Sequence, residues 1–196
     1  MHQLRHPSRR SSHFTLWLGL VVAVAVIAAV LFYGNLQAEQ KKTGTFNYLR
    51  PIPSDSVLRS TLKPDQYHVM RENGTETAFH NEYWDNQRPG IYVDVISRDP
   101  LFCSTDKYDA GTGRPTFTKP ISPDRVFEQS DSSFGMQRTE VRATKSNSHL
   151  GHVFADPASP TGERYAVNSA GLQFISVEKM ETEGYGKYLG LFDKKG

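Results

Sequence analysis

The chain has almost no sulfur to offer as a nucleophile. Among 196 residues there is a single cysteine, Cys103. An intramolecular disulfide is therefore excluded, and so is a zinc site built from Cys-x-x-Cys pairs. A lone thiol is either buried and inert or kept for its reactivity. Acidic residues are missing from the front of the chain: none precedes Glu39, whereas Arg5, Arg9 and Arg10 stand before an apolar run. Setting those three aside leaves 20 of the 23 basic residues against 21 acidic ones, with no basic cluster interleaved with aromatics. That pattern excludes nucleic acid as a natural partner. Internal repeats and low-complexity tracts are also absent. With 37% hydrophobic residues, 15 glycines and 11 prolines the composition is globular, with room for a membrane anchor and one domain of about 150 residues.

Residues 14–33 carry no charge. As a helix this segment reaches about 30 Å, the thickness of a bilayer's hydrocarbon layer. Trp17 at one end and Phe32 and Tyr33 at the other suit the two interfaces, and the preceding arginines place the N-terminus in the cytoplasm. The sequence thus predicts a cytoplasmic basic segment at 1–13, a transmembrane helix at 14–33, a linker at 34–60 containing Pro51 and Pro53, and an extracytoplasmic domain at 61–196. The alternative is a cleaved signal peptide ending at Leu36-Gln37-Ala38, which makes the domain secreted. No cysteine follows the run, so lipid modification there is excluded.

Residues 62–70 read as a short helix with Thr61 as N-cap and Pro64 in its first turn, and Asn73-Gly74 reads as a turn. Beyond it, β-rich runs at 90–96, 100–104, 137–143, 151–154, 164–168 and 172–177 are separated by Asp-Pro, Ser-Pro and Thr-Gly turns. Short strands at this spacing predict an all-β, antiparallel arrangement with few helices. Lys179 to Tyr188 is a small helix or loop.

His149 and His152 flank Leu150-Gly151, Asp156 follows, and Arg164, Asn168 and Ser169 lie further on. Taken singly, each is a satisfied structural polar group. A His-x-x-His pair with Asp156 is also a conceivable, though incomplete, metal set.

Read together, the motifs have one resemblance. Thr61-Leu62-Lys63-Pro64-Asp65-Gln66-Tyr67, Arg71-Glu72-Asn73-Gly74-Thr75-Glu76, Tyr83-Trp84-Asp85 and residues 90–95 resemble the opening of the peptide-methionine (R)-sulfoxide reductase family. Pro100-Leu101-Phe102, residues 106–111, residues 115–121, residues 138–142, Ser148-His149-Leu150-Gly151-His152-Val153-Phe154 and Asn168-Ser169-Ala170 continue it in the same order. The resemblance implies a small domain of two antiparallel sheets with short peripheral helices. It also implies reduction of methionine-(R)-sulfoxide residues in exported proteins, with no bound cofactor or metal and a thioredoxin-like or dithiol reductant as partner. In the family a thiolate attacks the sulfoxide sulfur, the oxygen is protonated as it leaves, and a sulfenic acid forms. Carried over by motif, His149 and His152 orient and protonate the sulfoxide oxygen and Asn168 adds a donor. Arg164 favours a thiolate two residues on, and Asp156 orients a histidine or the arginine.

Three departures fall in this region. Ala166 stands at the nucleophile position, Thr112 at the position where many members carry a recycling cysteine, and Arg114 where the family's tryptophan packs on the substrate methyl group. Phe117 or Phe154 is then the candidate wall for that methyl, and Cys103 the candidate resolving thiol. A methyl side chain can neither attack a sulfoxide nor accept its oxygen, so the chain is expected to be inactive as a reductase. Ala166 is either a replacement of a nucleophilic cysteine or the native residue of a non-catalytic module that binds methionine-sulfoxide peptides.

Overall fold

The computed structural model describes residues 11–43 and 49–193, with side chains at 11–16, 18–19 and 36–43 outside that description. The chain divides into two compact units, residues 1–45 and 46–196.

In the first unit, α1 spans Ser11–Thr43. It contains the charge-free segment and continues into the expected linker. Among the described residues, however, no helix is long and apolar enough to cross a membrane. The continuously described side chains, Leu20 to Asn35, are all exposed. The structure therefore gives the expected transmembrane helix at 14–33 no support. Positions 14–16 and 18–19 of that expectation, and residues 1–10 of the basic segment, lie outside the described side chains.

The second unit begins earlier than the sequence suggests. After Pro53 the chain forms α2 (Asp55–Thr61), whose Leu58 is buried. Leu58 packs with Tyr67, Val69, Met70 and Ile96, with Ile52 alongside, so the end of the expected linker belongs to the domain. A seven-residue helix burying one side chain has too few turns to show a period in sequence. Next, α3 runs over Pro64–Glu72. Its N-cap is Lys63 rather than Thr61, and the Gln66 side chain reaches back to accept the Lys63 N–H at 3.2 Å. Asn73 ends the helix in the left-handed conformation, φ 56°, which asparagine tolerates better than most residues.

Eight strands follow: β1 (Gly90–Asp94), β2 (Pro100–Cys103), β3 (Thr116–Phe117), β4 (Val126–Asp131), β5 (Arg138–Ala143), β6 (His149–Ala155), β7 (Glu163–Val167) and β8 (Leu172–Ser176). They form two antiparallel sheets, ordered β2-β1-β8 and β3-β7-β6-β5-β4. A short helix α4 (Val177–Met180) and a 3-10 segment at Gly186–Leu191 close the unit.

The sheets meet across one core. Tyr92, Leu101, Phe102 and Leu172 of the small sheet pack on Phe117, Val126, Val141, Ala143, Leu150, Val153, Tyr165 and Val167 of the large one. Phe102 stacks on Phe117 with ring centroids 4.5 Å apart, and Tyr92 meets Phe117 edge-on at 5.1 Å. Side chains alternate along a strand. Burying Tyr165 and Val167 between the sheets therefore turns Arg164 and Ala166 to the outer face of the large sheet. Burying Phe102 likewise turns Cys103 to the outer face of the small sheet, where it joins Ile91, Val93, Ile175, Met180 and Tyr185.

Candidate active site

The outer face of the large sheet holds the chemistry. On a regular strand, residues three apart point to opposite faces, so His149 and His152 ought to diverge. They do not, because β6 carries a β-bulge. Val141 pairs with Gly151 and Arg142 with His149, which leaves Leu150 as the extra residue. The bulge drops Leu150 into the core and brings both imidazoles to one side, ring centroids 5.5 Å apart. Gly151 makes this possible: its φ is +157°, and a Cβ there would run into the Ala166 carbonyl oxygen. His152 and Ala166 are then direct cross-strand partners, as are Thr116 and Ala166.

A cavity of about 170 Å³ opens over Ala166, lined by Thr75, Arg114, Arg138, Gly151, His152, Phe154, Ala166 and Asn168. A second, of about 230 Å³, adjoins it, sharing Thr75, Arg138 and His152 and adding Asp131, Glu140 and His149.

Each histidine is held by a carboxylate that itself holds an arginine. His149 Nδ1 lies 2.6 Å from Glu140 Oε1, which also receives the Arg142 guanidinium at 2.5 Å, while Gln129 donates to the other oxygen at 2.6 Å. A carboxylate accepts, so His149 Nδ1 carries the proton. Burial opposes ionisation of Glu140, but the hydrogen bonds from Gln129 and His149 and the Arg142 charge outweigh it and hold the carboxyl below its usual range. His149 is 2% exposed. Burial pulls its pKa below the ordinary histidine value despite Glu140, so at neutral pH the ring is neutral. Its Nε2, buried and without a partner among the described residues, presents a lone pair. In this state the ring is held by Glu140 through Nδ1 and accepts at Nε2.

His152 donates from Nε2 to Asp131 Oδ2 at 2.7 Å, and Arg138 reaches the same oxygen at 2.7 Å. Hydrogen bonds from Ser133 first, then from His152, hold the Asp131 carboxyl well below the usual carboxylate range. Asn168, 2% exposed, donates from Nδ2 to the Leu150 carbonyl at 2.9 Å and accepts the Glu76 N–H at 3.3 Å. Asp156 takes the Tyr108 hydroxyl at 2.8 Å and Arg164 Nε at 3.4 Å; of the two partners open to it in sequence, the arginine is the one it meets. Arg164 also lies over the Phe154 ring, 4.8 Å from its centroid. Phe154 lines the Ala166 cavity; Arg164 and Asp156 sit beside it. The structure does not gather His149, His152 and Asp156 into one cluster able to hold a metal among the described residues.

Two further expectations are overturned. Phe117 cannot form a methyl pocket, because it is fully buried between the sheets: Thr116, not Phe117, shares the face of Ala166. Cys103 cannot resolve a sulfenic acid at 166. It is 1% exposed on the far side of the small sheet, with the Phe102 and Tyr165 rings, 6.2 Å apart, in the core between. Stacked sheets lie about 10 Å apart, whereas a disulfide needs Cβ atoms about 4 Å apart. Burial also raises the thiol's pKa, the opposite of a reactive cysteine.

The residues that sequence reasoning missed are Asp131, Arg138, Glu140 and Arg142. Arg138, Glu140 and Arg142 had a signal, as polar members of an alternating strand; Asp131 ends an exposed edge strand with no apolar alternation.

A SelR domain family model matches residues 62–176, which takes in every one of these site residues. The chain belongs to the methionine sulfoxide reductase B family. A curated protein of Vibrio cholerae serotype O1, named peptide methionine sulfoxide reductase MsrA/MsrB, is 50% identical over 155 residues, or 78% of this chain. The chain spans 40% of that relative's length. The family's two-sheet, antiparallel domain with short helices is the fold observed, and methionine sulfoxide reduction is the family's chemistry. Of the three positions expected to depart from the family pattern, Ala166 and Arg114 line the cavity. Thr112 lies between two left-handed glycines, Gly111 and Gly113, with its hydroxyl buried and unpartnered among the described residues.

Proposed function

We propose that the second unit is a methionine-(R)-sulfoxide site of the reductase type that binds its oxidised side chain without reducing it. The observation that carries this reading is the pairing of Ala166 with His152 at the wall of the 170 Å³ cavity. The hydrogen-bonding groups of the family site surround a methyl group, and no thiol lies on that face of the sheet. The sulfoxide oxygen is a strong acceptor to which Arg114, Arg138 and the spare Nδ2 hydrogen of Asn168 can donate, while Phe154 meets the thioether carbons. Reduction needs a sulfur to take the oxygen: thiol plus sulfoxide gives sulfenic acid plus thioether, and a dithiol returns the sulfenic acid to thiol with release of water. Alanine supplies neither bond, and losing a covalent nucleophile costs several orders of magnitude in rate.

Location follows the same logic. The apolar stretch in α1 and the basic residues before it favour an anchored or exported domain that meets oxidised proteins outside the cytoplasm, with a thioredoxin-like reductant relevant only to a cysteine-bearing form.

Calorimetric titration of the full chain with a methionine-(R)-sulfoxide peptide and its reduced counterpart tests the reading. Preferential binding of the sulfoxide, recovered unreduced after incubation with dithiothreitol, is the expected result. Equal affinity for the two peptides, or turnover by the unaltered chain, contradicts it.

A further inference from the structure

The lining of the Ala166 cavity is one-sided. Its polar members are Thr75, Arg114, Arg138, His152 and Asn168, and no carboxylate is among them. Arginine only donates and keeps its charge throughout the physiological pH range. Arg114 gives Nη2 to the Glu76 carbonyl at 2.9 Å, and its Nε is buried with no partner among the described residues. Arg138 gives Nη2 to Asp131 and to the Ser133 hydroxyl at 3.1 Å, and its Nε is likewise buried and unpartnered. Asn168 keeps one Nδ2 hydrogen after serving Leu150.

The nearby acids are turned to other work. Asp131 faces the adjoining cavity, with His152 and Arg138 on it. The Glu76 carboxylate receives the backbone N–H groups of Ser169 and Ala170. An anion in the cavity meets two guanidinium groups and an amide, and no carboxylate.

The three donors come from separate elements: Arg114 from the loop before β3, Arg138 from the start of β5 and Asn168 from just after β7. A planar carboxylate matches one guanidinium fork; a pyramidal head with two or three oxygens matches donors arriving from several directions. Phe154, Gly151 and Ala166 make up the apolar remainder of the wall.

We propose that this cavity binds a small sulfur oxyanion on a short apolar stem, an alkylsulfonate or alkylsulfinate, with Arg114 and Arg138 as its charge partners and Phe154 against the stem. The proposal goes beyond the sulfoxide reading and does not depend on it. A neutral sulfoxide offers one strong acceptor, whereas the cavity presents two cationic donors and an amide.

The test titrates the full chain calorimetrically with methanesulfonate, methanesulfinate and dimethyl sulfoxide at low ionic strength. It is repeated with Arg114→Gln, whose thermal melt reports folding, and with Ala166→Leu, which fills the cavity from the strand. One of the two anions binds about tenfold or more tightly than dimethyl sulfoxide. Arg114→Gln lowers that affinity about tenfold, and Ala166→Leu abolishes it. Anion binding no tighter than dimethyl sulfoxide overturns the proposal in the unaltered chain alone, whatever the variants do. Anion binding indifferent to both substitutions overturns it as well. Sulfoxide binding without anion binding removes the oxyanion site and leaves the sulfoxide reading standing; anion binding without sulfoxide binding does the reverse.

Discussion

At position 166 a methyl group stands among side chains that donate or accept hydrogen bonds. What those side chains can do depends on protonation, and His149 is the one whose state the structure fixes. Its pKa is held down by burial, so the unfolded chain takes up a proton near pH 6.5 while the folded chain does not. The unfolded state then binds more protons below that pH. Stability is intact above pH 6.5 and falls as pH drops through it. Urea titrations at pH 7.5 and 5.5 are expected to show this loss, and His149→Gln to show a smaller one; an equal loss in both contradicts the buried neutral ring. Glu140 acts in the same direction at lower pH, because its depressed carboxyl contributes stability that is lost as it protonates. Much of this was legible in sequence only as identity. The motif marked His149, His152 and Asn168, yet it did not tell which nitrogen is tied to which acid, since that is set by strand register across Glu140 and His152.

At the scale of elements, the bulge in β6 makes two histidines three apart into neighbours. It rests on Gly151, so Gly151→Ala is expected to cost on the order of 3 kcal/mol in urea unfolding, by forcing a Cβ into the Ala166 carbonyl. A cost below about 0.5 kcal/mol contradicts the packing described. The same substitution separates the imidazoles, and the cavity between β6 and β7 changes shape with them. Asn73→Ala is expected to cost about 1 kcal/mol, from the left-handed backbone at the end of α3 and from the Arg142 hydrogen bond lost at 2.8 Å. Denaturation midpoints unchanged by that substitution exclude both contributions. Six strands were readable from runs of β-branched and aromatic residues between turn signals. β4 was not, because its side chains after Val126 are mostly exposed and show no alternation. Two-residue β3 was not either, being too short for any period to register. A bulge has no single-sequence signature, although the glycine between the two histidines is its trace.

At the scale of the whole unit, the two-sheet architecture separates its one thiol from the cavity at Ala166. Cys103 and Ala166 occupy opposite outer faces, with the aromatic core between them. In a chain carrying Ala166→Cys, the two cysteines are therefore expected to form no intramolecular disulfide on oxidation, which intact mass under non-reducing conditions reads directly. Adding Cys103→Ala to that chain changes turnover with dithiothreitol less than about twofold; a larger loss assigns Cys103 a role the fold denies it. The account stands on the cavity at 166 being a complete sulfoxide site apart from its sulfur. The most direct measurement is single-turnover reduction of a methionine-(R)-sulfoxide peptide by the full chain bearing Ala166→Cys. One equivalent of methionine formed, with a sulfenic acid on residue 166 and no reaction of the (S)-epimer, is the predicted result. A folded variant that binds the peptide but leaves it oxidised, with its new thiol unmodified, contradicts the account.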